Sequence, residues 1–164
     1  MVSQTILTKL KISALSSNMM SKHASVLIYK GKDVCYGYNH FDSRGLSRHA
    51  ELDAIIQFLQ FKKCSIPKKF VENLQYKHRL CKDLSFHFKK IKIIVVRFSK
   101  NSDNFIYSAP CVQCKNILQG LGFNKIKYST DSGNIVSSKF EDIINHHSRL
   151  ERFKIKNIHK CSCS

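Results

Sequence analysis

His49-Ala50-Glu51 and, much later, Pro110-Cys111-Val112-Gln113-Cys114 bring one imidazole, two thiols and one carboxylate into two short motifs. An imidazole and two thiolates can hold a zinc ion and leave its fourth position open to water. A closed structural site would take four protein ligands, whereas the fourth group here is a carboxylate beside a ligand. Zinc held by three protein groups brings the pKa of bound water to about 7, so hydroxide becomes available at neutral pH. Glu51 stands two positions from His49, placed to lean over the metal toward a substrate and to move protons there. Attack at an amino-bearing aromatic carbon needs that pairing of nucleophile and proton shuttle.

For these groups to meet, each motif must open a helix. Leu52, Ile55, Ile56 and Leu59 repeat at i, i+3, i+4 and i+7, which predicts a helix over 47–61 with His49 and Glu51 in its first turn. A second helix is expected over 111–121, with Pro110 suited to its start and Gly122 to its C-terminal cap. The three-residue step puts Cys111 and Cys114 on one helical face, and an electropositive helix start favours thiolate over thiol.

The remaining pattern supplies a sheet to carry them. Residues 24–29 read as a buried strand, Gly31-Lys32-Asp33 as a turn and 34–38 as a returning strand. The run Ile-Lys-Ile-Ile-Val-Val-Arg-Phe over 91–98 is apolar enough to be central. Strands are also expected over 125–130 and 135–138. The turn between them, Asp131-Ser132-Gly133-Asn134, is too short for a parallel crossover, so this pair is antiparallel. Helices over 5–17 and 140–153 complete a three-layer α/β/α sandwich around a mixed five-stranded sheet. Both motif helices follow the C-terminal ends of strands, where clefts form in open α/β sheets.

The chain has 164 residues, 43% hydrophobic and 24% charged, which suits one globular domain, expected over 1–153. No apolar run is long enough to span a bilayer. Residues 1–15 mix Lys9 and Lys11 with apolar residues and lack the continuous core of a secretory signal, so an intracellular, most simply cytoplasmic, setting is expected. Seven cysteines at irregular spacing then read as reduced thiols. The net charge of +17 attracts polyanions, so nucleic acid is a candidate partner; a Lys-rich composition alone also accounts for it. Residues 62–90 form a basic insertion with nine Lys or Arg against Glu72 and Asp83, and 154–164 a basic tail tipped by Cys161 and Cys163. In the insertion, Tyr76, Phe86 and Phe88 either stack on bases or anchor it to the core. Cys64, His78 and Cys81 are spaced too loosely to define a second metal site, and His146 and His147 read as solvated helix residues.

The two motifs together resemble the zinc-dependent cytidine/deoxycytidylate deaminase superfamily, whose signature is H-x-E followed by P-C-x-x-C. The likeness extends beyond them. Residues 24–61 look like that family's hairpin and zinc helix, and 91–123 like its central strand and second zinc helix. Gly37-Tyr38-Asn39 resembles its Gly-x-Asn segment. The resemblance implies a cytidine-deaminase-like fold and a zinc-dependent hydrolase of nucleotide metabolism. In it His49, Cys111 and Cys114 hold Zn2+ and Glu51 shuttles protons. Asn39 contacts sugar or base, and the Ala50 amide donates to the base carbonyl. The implied substrate is a cytosine nucleoside or nucleotide, with Arg44 and Arg48 as candidate phosphate partners. The antiparallel ending over 135–138 is that of small-substrate members. A tRNA or single-stranded DNA deaminase and an inactive zinc-binding relative are the alternatives, and a homo-oligomer is compatible with the family. His49 and Cys111 lie 62 positions apart, a longer interval than the family's, and the 62–90 insertion accounts for the excess.

Overall fold

The computed structural model describes residues 2–43, 45–62, 88, 90–99 and 104–144. Arg44, most of the insertion including Cys64, Tyr76, His78, Cys81 and Phe86, and everything from 145 onward lie outside the described residues.

Helix α1 (Gln4–Leu15) starts at Ser3, whose hydroxyl accepts from the Ile6 amide, and buries Ile6, Leu10 and Ala14 at four-residue steps. β1 (Lys22–Tyr29) and β2 (Lys32–Tyr38) form an antiparallel hairpin. Its turn is Lys30-Gly31, not the expected Gly31-Lys32-Asp33. Both turn residues take positive φ (48° and 80°), the two-residue geometry that matches strand twist, and Lys32 and Asp33 already pair in β2. β3 (His40–Phe41) and β4 (Ser47–Arg48) make a small second hairpin. Helix α2 therefore runs Ala50–Phe61 and starts later than expected, because Arg48 is paired with His40 as strand.

β5 (Ile91–Phe98) is central as expected and pairs with β1 along its whole length. Its other edge is shared. β7 (Lys125–Ser129) lies parallel to it at Ile94 and Val95, while the short β6 (Phe105–Ile106), unforeseen in the sequence, pairs antiparallel at Arg97 and Phe98. Helix α3 (Val112–Gly120) makes the crossover, ending at Leu121 with Gly122 at φ 87°. β8 (Ile135–Lys139) returns antiparallel to β7. The order β2-β1-β5-β7-β8 is the expected mixed five-stranded path, with β6 added.

Alternation along the strands sorts the core into two layers. Ala24, Val26, Ile94 and Val96 face α1, with Ile6 and Leu10. Leu27, Ile93 and Val95 face α2 and α3, with Leu52, Ile55, Leu59, Ile117 and Leu118. Phe88 anchors to this second layer: it is buried and its ring stands 5.3 Å from Phe58 and 5.4 Å from Phe123. Residues 140–144 form turns rather than the start of a helix, and Phe140 and Ile143 are buried through them; the rest of 140–153 lies outside the described residues. Among the described residues no helix is long and apolar enough to cross a membrane.

Gly37 is where β2 meets the first turn of α2. A Cβ there would stand 2.3 Å from the Ala54 nitrogen and 2.6 Å from the Ala50 oxygen, both backbone atoms. Gly37→Ala is expected to lower stability by about 1–3 kcal/mol, as overpacking does. Urea unfolding measures this; an unchanged midpoint would mean that strand and helix part readily.

Candidate metal centre

Both motif helices begin one residue later than the ligands that open them. His49 is the N-cap of α2 and Cys111 the N-cap of α3, each in extended backbone, and neither side chain caps its helix. Their side chains are thereby left to meet each other. His49 Nδ1 lies 3.2 Å from Cys114 Sγ and 3.5 Å from Cys111 Sγ. The three donor atoms all lie within 4.8 Å of one another, and both cysteines are buried. Around a tetrahedral zinc, with bonds of about 2.0–2.3 Å, donors stand roughly 3.5–3.8 Å apart. A small opening of this cluster accommodates the ion, and two sulfurs with one imidazole are a donor set that zinc favours.

Proton sharing shows how crowded the corner is. The hydrogen bond from the Cys114 thiol, with help from His49 and against the push of burial, holds Cys111 down to about 4. Cys114 moves the other way, raised by its bond to Cys111, by burial and by the Glu51 charge. Burial also pushes Glu51 up, with His49 opposing and Cys111 adding to the rise. Glu51 is buried beside this cluster, close enough for its charge to act on Cys114. A divalent cation replaces the shared proton, so binding releases protons.

The comparisons with known structures bear on this arrangement. A cytidine deaminase from Burkholderia pseudomallei matches 90% of this chain and 100% of its own, with a TM-score of 0.55 at 17% identity. The fold is that of cytidine deaminase. A dCMP deaminase from the cyanophage S-TIM5 aligns over 78% of this chain and 85% of its own, with TM-score 0.44 and 14% identity. No family model and no curated protein matches the chain.

Within this cytidine-deaminase fold, polar contacts that sequence reasoning missed hold the two helix starts. On the α2 side, Ser25 Oγ donates to the Ala50 carbonyl at 2.8 Å from within β1. Asp53 Oδ2 accepts from the Tyr38 amide (3.2 Å) and from Gln57 Nε2 (2.9 Å), and Arg48 Nη1 stands 3.7 Å from its other oxygen. Arg48, a candidate phosphate partner, is thus already paired. Asn39 is buried; its amide accepts from the His23 N–H (2.8 Å) and donates to the Ser21 carbonyl (2.6 Å). It fastens the start of β1 in this conformation.

On the α3 side, two buried serines fill the gap where β6 wedges β7 away from β5. Ser108 Oγ donates to the Val95 carbonyl (2.9 Å) and accepts from the Ser129 amide (2.9 Å). Ser129 Oγ accepts from the Arg97 amide (3.2 Å) and lies 2.8 Å from Ser108 Oγ. Ser108 stands three residues before Cys111, so this lock sets where the first thiol begins. The only sequence signal was a polar residue beside the strand end.

Ser108→Ala leaves the Ser129 amide and the Val95 carbonyl without these partners. Its Zn2+ affinity, measured by chelator competition, is expected to fall by up to about 10-fold, the low end of the effect of losing a direct bond to a ligand, because Ser108 acts through the backbone. The exposed Ser132→Ala serves as control. Equal affinity in Ser108→Ala and wild type would remove the positioning role.

Proposed function

We propose that this protein is a zinc-dependent hydrolytic deaminase of a cytosine nucleoside or nucleotide. The observation that carries this reading is the convergence of His49, Cys111 and Cys114, with the buried Glu51 beside them. The fold of the Burkholderia cytidine deaminase and the antiparallel β8 support it. His49, Cys111 and Cys114 would hold Zn2+, which when bound makes water acidic enough to serve as a nucleophile near neutral pH.

In this reading Glu51 accepts a proton from the attacking water. It passes that proton to the ring nitrogen beside the reacting carbon, then takes the second proton of the added water from the new C4 hydroxyl and gives it to the departing amine. A C–O bond forms at C4 of cytosine, the C–N bond breaks, and ammonia leaves. Burial of Glu51 suits the task, because a desolvated carboxylate takes a proton more readily than one in water. The Ala50 amide, at the first position of α2, is the proposed donor to the base carbonyl. Asn39 contributes to substrate by shaping the start of β1 and the end of β2.

The test is ammonia release from a panel of cytosine and adenine nucleosides and nucleotides, using protein of verified zinc content. Glu51→Gln is expected to retain zinc and to lose about 10²–10⁴-fold in turnover. Absence of ammonia across the panel, or a Glu51→Gln variant as active as wild type, would overturn the assignment.

A further inference from the structure

The face of the sheet opposite the metal centre carries a lysine row. Lys127 of β7 is level with Ile94 of β5, and both point to the α1 side. Two residues earlier on each strand stand Lys92 and Lys125, and Lys125 is paired directly with Lys139 of β8. Three lysines therefore line up across three neighbouring strands, about 4.8 Å from one strand to the next. Lys127 adds a fourth, one pleat further along β7. Lys92, Lys125 and Lys139 are exposed and Lys127 half-buried. On this face helix α1 packs chiefly on β1, β2 and β5, and Ile135 of β8 reaches the edge of the same apolar layer. Among the described residues none of the four makes an ion pair.

Like charges directly opposite each other weaken a strand pair. A row that costs stability and, among the described residues, meets no acid is matched by an anionic partner. We infer that this face binds the phosphate backbone of a single-stranded nucleic acid. The chemistry of the row separates it from other polyanions. A lipid surface calls for large apolar side chains among the cations. Here the neighbours on β8 are Ser137 and the half-buried Ile135. Protein interface cores are depleted of lysine and rich in aromatics. A duplex groove admits a protruding helix or ribbon, whereas this surface is the broad face of a sheet. Lysines on flexible stems act as point charges that follow a backbone without reading bases. Binding is therefore sequence-independent, with a Kd of about 10⁻⁴–10⁻⁶ M at physiological salt. The inference is independent of the deaminase reading, since α2 and α3 lie on the other face.

The test is fluorescence anisotropy with a single-stranded 20-mer over a range of salt. A variant carrying Lys92→Gln, Lys125→Gln, Lys127→Gln and Lys139→Gln is compared with wild type. A second variant of equal charge change carries Lys11→Gln, Lys30→Gln, Lys32→Gln and Lys62→Gln. Four lost phosphate contacts should flatten the slope of log K against log salt by about 3. The row variant should show this with an unchanged or raised Tm, and the second variant should keep most of the wild-type slope. If the fourfold variant does not fold, Lys125→Gln with Lys139→Gln should flatten the slope by about 1.5. Equal losses in both fourfold variants would reduce the effect to net charge and overturn the inference. So would an unchanged slope in the row variant, or binding to phosphatidylserine vesicles with none to the oligonucleotide.

Discussion

Two sulfurs and a carboxylate in one buried corner oppose each other's ionisation, and much of the surrounding structure serves to hold them there. Left to itself, such a group would be relieved by moving one acid into water. Instead, Cys114 beside it favours the Cys111 thiolate, His49 lies against both sulfurs, and Glu51 is held buried beside them. Residues 62 positions apart are kept within 4.8 Å. A divalent cation neutralises that repulsion, so the site is electrostatically prepared for one.

The apolar layers on either face of the sheet supply the bulk of the stabilisation but are indifferent to small sliding. Registration comes from polar atoms inside them. Ser25 and Asp53 fasten the start of α2 to β1 and β2, and Gly37 lets the strand come close enough for those bonds to form. Ser108 and Ser129 perform the same service for α3, at the point where β5 parts from β7. Each thus ties one of the two helix starts at the candidate metal centre to a different pair of strands. Buried hydroxyls of this kind are costly when unpaired, and all of these are paired.

That His49, Cys111 and Cys114 could share one metal was readable because such chemistry is carried by residue type and spacing alone. The central strand was readable because Ile91 to Phe98 is apolar on both faces. What escaped were features without periodicity. β3, β4 and β6 are two residues long and leave no pattern. The Lys30 turn depends on a positive φ that residue type does not announce. The spacing of Phe140 and Ile143 is common to a helix and to two successive turns, and here the turns prevail. Serines 25, 108 and 129 act through tertiary neighbours, so their importance is invisible until the strands are assembled. Asn39 illustrates the converse: a residue type suited to touching ligand is engaged with the chain's own backbone.

Phe58, near the end of α2, and Phe88, just before β5, rest against each other. The end of α2 and the residue before β5 therefore meet at one place in the core. Closing a loop grows dearer only slowly with its length, by about 0.6 kcal/mol per doubling. A change in the number of residues between Phe58 and Phe88 therefore adds little to the free energy of bringing the two rings together, and the corner of His49, Cys111 and Cys114 keeps its form.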